Sequence, residues 1–200
     1  MKKTLVLFLL LIININSLAE ADSIYDLQIE GIGLDENALD HFSKEELDAS
    51  KGYYPKSKRI WRSLLILKDK EYETLQIHMK LQNNKYITVG VAGLIYFYDK
   101  ENSINQCIKK RNQIVDDLKK FLKTAKLSNE EKDNVRADKS GKSYVLGIYF
   151  DFKDDFSEYV KISCTFYTEE YSKETGWPDH LRLALTSTEL HNWLKGPAYE

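Results

Sequence analysis

The spacing of hydrophobic residues changes period several times along the chain, and each change marks a new element. Between Thr74 and Leu81 the apolar residues Leu75, Ile77, Met79 and Leu81 alternate with Gln76, His78 and Lys80. That period of two belongs to a strand whose faces meet different surroundings. The same alternation recurs at Leu146, Ile148 and Phe150, at Val160, Ile162, Cys164 and Phe166, and at Leu181, Leu183 and Leu185. Strands are predicted over 24–32, 58–68, 74–81, 86–98, 144–152, 159–167 and 180–185. Gln82-Asn83-Asn84-Lys85 makes a tight hairpin, because asparagine accepts positive φ.

From 103 to 126 the period lengthens to three and four residues. Ile104, Cys107, Ile108, Ile114, Val115, Leu118, Phe121, Leu122 and Ala125 form the buried stripe of one long helix. Two short helices are predicted near the start, 36–42 with Asp35 as N-cap and 44–49 with Ser43 and Glu46 as a capping box. A closing helix carries Leu190, Trp193 and Leu194, with Thr186 and Glu189 as its capping box and Gly196-Pro197 as its stop. The charged stretch 128–143 and the polar segment around Gly176 and Pro178 read as loops. Together these give an α+β domain, a largely antiparallel sheet of about six to seven strands with one long helix packed on one face and short helices at both ends.

Residues 1–21 do not fit that domain. Lys2 and Lys3, an apolar run from Leu5 to Ile13 and the small-residue pattern Ala19-Glu20-Ala21 make a secretory signal peptide, leaving 22–200 as a single domain. Cleavage near Ala19 or Ala21 predicts a periplasmic or secreted protein with no integral membrane span in its mature form. Removing residues 1–19 takes two lysines and no acid, so 27 basic against 31 acidic residues leaves a net charge of −4. A mildly acidic surface with interspersed signs argues against nucleic acid as a partner.

Export bears on the two cysteines. Cys107 lies on the helical stripe and Cys164 on an apolar strand face, so both point into the layer between helix and sheet. In an oxidising compartment a disulfide is expected, two buried free thiols being the alternative. A catalytic thiol is disfavoured, because apolar surroundings oppose the thiolate.

Candidate chemistry is sparse. Gly141-Lys142-Ser143 lacks the earlier glycine of a phosphate loop, having Arg136 there, and a strand follows it. His41, His78, His180 and His191 have no metal-ligand spacing, so no metal or cofactor is expected. Glu169, Glu170, Glu174 and Asp179 lack the spacing of a calcium loop. The densest polar group is LDENALDHFS (Leu34–Ser43), where Glu36, Asp40 and His41 are the one set suited to hydrolytic acid–base work.

Strand parity offers a better candidate. With Leu75, Ile77, Met79, Leu81, Ile87, Val89 and Val91 on the core side, the opposite face collects Gln76, His78, Lys80, Thr88, Asp151, Lys161, Ser163, Thr165 and a series of tyrosines. His78, Tyr96, Tyr98, Tyr149, Tyr159 and Tyr167 are the expected binding residues, since rings with hydroxyl tips suit sugars, peptides and protein surfaces. The expected function is non-enzymatic binding of a small ligand or a cell-envelope protein; the alternative is a small periplasmic hydrolase.

Two stretches, EGIGLDENALDHFSKEEL (Glu30–Leu47) and ADKSGKS (Ala137–Ser143), resemble small exported proteins of marine alphaproteobacteria of the Pelagibacter type. The resemblance spans most of the chain beyond the leader, including the helix with Cys107, the strand with Cys164 and the closing helix with Trp193. It implies an exported single domain and brings no activity, cofactor or catalytic residue with it.

Overall fold

A computed structural model describes residues 22–200; the expected signal peptide, 1–21, lies outside them. Where alternation predicts one strand over 24–32, the chain folds back on itself. A 3-10 turn at Ile24–Asp26 leads into β1 (Gln28–Ile29) and β2 (Ile32–Gly33), a small hairpin closed by Glu30 and Gly31 at φ 52° and 86°. Gly31 makes this turn inexpensive. There follow a 3-10 turn at Ala38–Asp40, α1 (Lys44–Ala49), β3 (Gly52–Tyr53), β4 (Ile60–Ile66), β5 (Thr74–Gln82), β6 (Lys85–Phe97) and α2 (Ser103–Phe121). The chain continues through β7 (Lys126–Leu127), β8 (Glu131–Asn134), β9 (Tyr144–Asp151), β10 (Tyr159–Phe166), α3 (Glu169–Thr175), β11 (Asp179–Thr186) and α4 (Thr188–Lys195).

Among the described residues nine strands form one antiparallel sheet in the order β3-β4-β5-β6-β11-β10-β9-β7, with β8 also on β9. The six long strands are those that alternation predicts. The three short ones raise the count above six or seven, and they carry no alternation because they lie at the margins; every residue of β8 is exposed. Helix α3 falls where a loop is expected. It buries none of its residues, so it has no apolar stripe, and it is held by Thr168, which caps Tyr171 N–H, and by Gly176 at φ 76°. The β5–β6 hairpin turns at Asn83 and Asn84, both at positive φ, as expected. Ser43 and Glu46 form their capping box, but α4 is capped by Ser187 rather than Thr186.

One face of the sheet is the core. Leu75, Ile77, Val91, Leu181, Leu183, Leu185, Val160, Ile162 and Phe150 pack there, covered by α2 over one half and by the N-terminal layer of Ile24, Leu27, Ile29, Ile32, Leu34 and Leu47 over the other. Cys107 and Cys164 form a disulfide across a Cα separation of 6.0 Å, fastening α2 to β10. Arg111 completes the α2 stripe, buried and ion-paired to Glu130 at 2.6 Å, while Ile104 is exposed.

A β-bulge overturns part of the parity argument. His78 pairs with Gly90 but Met79 pairs with Thr88, so Val89 is an extra residue and side chains before it change faces. Thr88 therefore turns inward, where its hydroxyl donates to Gly33 C=O at 2.7 Å and accepts from Glu36 N–H at 3.0 Å. Val89 leaves the main core and joins Ile60, Leu190, Trp193 and Ala198 in a second cluster under α4, on the opposite face.

Candidate functional site

The opposite face takes its layout from the register. One row of paired residues crosses five strands: Gln76, Ala92, Ala184, Lys161 and Tyr149. Two residues along each strand, the next row is Thr74, Leu94, Arg182, Ser163 and Gly147; on the other side lie His78, Gly90, Thr186, Tyr159 and Asp151. Alanine and glycine at the middle of these rows leave space above the sheet, and Arg182 uses it. Its Nη2 donates to Gln76 Oε1 at 3.1 Å, so the side chain reaches from β11 over β6 to β5. Lys161 lies along Gly147, where a Cβ would stand 3.0 Å from Lys161 Cε, and its ammonium is 4.7 Å from the Tyr149 ring centroid. This is cation–π distance.

Among the described residues, neither cation has a carboxylate within ion-pair distance. Burial lowers the Arg182 guanidinium from its ordinary value, against the support of Tyr159, Tyr54 and Tyr149 around it. It stays charged even so, since an arginine does not deprotonate in proteins. Burial, and next the Arg182 charge, lower Lys161, with Asp133 and Glu131 on the β8 margin opposing. Asp151, the buried acid on this face, is raised by burial and then by Glu131.

The six predicted binding residues divide into three groups. Tyr149 and Tyr159 meet edge to face at 5.4 Å beside Lys161, both partly exposed. Tyr96, Tyr98 and Tyr167 gather one row beyond Arg182. Tyr96 and Tyr167 lie 6.0 and 5.8 Å from the ring of His180, Trp177 is at 6.3 Å, and Tyr98 is 6.2 Å from Tyr96. His180 donates from Nδ1 to Pro178 C=O at 3.2 Å, and burial holds its imidazole down to about 4.

His78 departs from expectation. Only 3% exposed, it sits 2.8 Å from the Tyr54 hydroxyl, and Tyr54 packs edge-on against Trp193 at 4.7 Å. Burial, followed by Arg182 and Arg62, pushes its imidazole to about 3, so it is neutral and closed off from any ligand. Sequence reasoning also passed over Arg182. The available signal was a lone arginine within the apolar alternation of β11.

Of the hydrolytic group, Glu36 and His41 come together and Asp40 stands apart. Glu36 pairs with His41 at 2.8 Å and accepts from Gln28 Nε2 at 2.7 Å, whereas exposed Asp40 accepts from Asn37 Nδ2 at 2.9 Å. Asp35 is not an N-cap: it stands at φ 60°, and its N–H donates to Thr88 C=O at 3.0 Å. With Thr88 N–H on Glu36 C=O and Tyr86 N–H on Asn37 Oδ1, residues 35–37 clip the β6 edge just beyond the end of β11. LDENALDHFS is thus largely a sheet-edge device. Among the described residues no group of three or more His, Cys, Asp and Glu side chains is placed to hold a metal ion. Comparison with protein-family models, curated proteins and solved structures returns no match.

Proposed function

We propose that this is an exported, non-enzymatic binding module whose site is the tyrosine-rich face of the sheet. The supporting observation is the unequal covering of the two faces. The core face is packed under α2 and the N-terminal layer, while α4 covers one end of the other face and leaves Tyr96, Tyr149, Tyr159, Lys161, Tyr167 and Arg182 partly open. A polar, aromatic surface on a rigid sheet holds its donors and rings in place before a ligand arrives, which reduces the ordering cost of binding. Export is supported by the disulfide and by the leader-like sequence of 1–21. No helix among the described residues is long and apolar enough to cross a membrane.

The test is thermal-shift screening of protein purified from the envelope fraction, against sugars, amino acids, nucleotides and short peptides. A ligand of this face should raise the melting temperature of the wild type, as any binder of the folded state does, and not that of Tyr149→Ala/Tyr167→Ala. A ligand that stabilises both equally overturns the assignment. So does hydrolysis of any panel compound that is lost in His41→Ala.

A further inference from the structure

We infer that Arg182 and Lys161 form an anion subsite, and that the ligand of this face is a carboxylate-bearing carbohydrate of the uronic-acid type. Its acid group sits on the two cations and its ring stacks on the neighbouring tyrosines. The inference rests on the binding role proposed for the same face.

A cation withdrawn from water destabilises the fold unless an anion meets it, and elsewhere this protein supplies one. Buried Arg111 has Glu130, Lys100 has Asp179, Lys80 has Glu189 and Lys110 has Glu71. Among the described residues Arg182 and Lys161 are the exceptions; Arg182 is held by the neutral Gln76 amide, with only the phenols of Tyr159, Tyr54 and Tyr149 supporting its charge. Lys161 and Arg62 add positive charge near it instead of relieving it. Such an arrangement is complementary to an anion brought from outside.

Ala92, Ala184, Lys161 and Arg182 lie in strands paired on both sides, so the backbone amides around the cations are engaged in the sheet. Phosphate sites draw on free backbone N–H groups at glycine-rich turns and helix starts. A planar guanidinium pairs with two oxygens of either anion, but a site made of side chains alone lacks the further donors that a phosphate would use and suits a carboxylate better.

Aromatic side chains stand on both sides of the cations. Tyr96 and Tyr167 flank His180, two residues from Arg182 on the same face of β11, a spacing of about 6.8 Å. On the other side Tyr149 and Tyr159 meet edge to face at 5.4 Å, with the Lys161 ammonium 4.7 Å from the Tyr149 ring. One sugar ring with its carboxylate spans the distance between Arg182 and His180, its apolar face against tyrosine and its hydroxyls toward the phenols. Glu131 and Asp133, facing the same way at the β8 margin, would repel a polyanion such as nucleic acid.

Titration calorimetry on the full-chain protein purified from the envelope fraction tests the inference, using a trisaccharide with a single uronate residue, the corresponding neutral trisaccharide, acetate and inorganic phosphate as probes. The uronate sugar should bind and the neutral one should not. Arg182→Met and, separately, Lys161→Met should each weaken binding by about 10- to 100-fold, the value of a charge-assisted hydrogen bond. Both variants should melt at or above the wild-type temperature, since each removes an unmatched charge; Lys161→Met, with its partly exposed side chain, keeps the test open if Arg182→Met fails to fold. Phosphate binding as tightly as the uronate sugar overturns the carbohydrate class. Neutral sugar binding that is indifferent to both variants overturns the anion subsite. A screening ligand lost in Tyr149→Ala/Tyr167→Ala but kept in Arg182→Met leaves the binding face standing and removes this inference alone. Failure of every probe, with no tyrosine-dependent ligand, removes both.

Discussion

Opening the Cys107–Cys164 bond should cost this fold more than any change outside the core. The bond closes a loop with a sequence separation of 57. Chain-entropy arithmetic puts the corresponding restriction of the unfolded chain at about 14 cal/mol/K, or about 4 kcal/mol at 25 °C. In a domain of this size each kcal/mol moves the melting temperature by about 2–4 °C, so reduction should lower it by about 8–16 °C. Native packing should change little, because both cysteines are fully buried between α2 and β10 and their thiols remain in an apolar layer. The loss therefore belongs mainly to the unfolded ensemble, and the urea dependence of the reduced protein should steepen as that ensemble expands. Circular-dichroism melts of the purified protein with and without reductant, beside mass spectrometry after alkylation under denaturing conditions, measure both halves. Two alkyl groups are expected after reduction and none before. Equal alkyl counts reject the bond, and melting temperatures within about 2 °C of each other reject the entropic estimate.

Two further outcomes follow from buried groups. His78 and His180 are held near 3 and 4, against an ordinary value near 6.5. Below pH 6.5 the unfolded chain gains protons that the native state refuses, so these residues favour the fold above 6.5 and lose that contribution as the pH falls. From pH 7 to 5 the loss is about 2 kcal/mol per histidine. Urea unfolding at pH 7 and pH 5 should show it and His78→Gln/His180→Gln should flatten it; stability constant across that interval refutes the assignment. Gly93→Val should destabilise by about 1–3 kcal/mol, since a Cβ there overlaps the buried ring of Tyr72. A melting temperature equal to that of the wild type would show that the ring moves aside freely.

Much of the architecture was legible because it depends on local pattern. The alternation in β5, β9, β10 and β11 states which residues face the core without reference to their partners. The stripe on α2 and the Asn83-Asn84 turn are equally local. Errors arose where distant contacts intervened. Nothing near Val89 announces that β6 carries an extra residue, because the bulge exists only relative to β5; it moved Thr88 and Val89 to faces opposite those expected. The short strands β7 and β8 are strands only because β9 presents an edge to them.

The candidate site divides along the same line. That tyrosines and polar residues occupy one side of the sheet is a consequence of parity, and the sequence alone determined it, together with the position of both cysteines in the buried layer. Which of those residues remain open was decided by tertiary structure. Tyr54 and α4 close over His78 from positions far along the chain. Arg182 reads in sequence as an ordinary polar interruption of β11. Its distinction, a recessed charge with no carboxylate partner among the described residues, is a property of what the other strands fail to bring to it, and only the assembled sheet sets that.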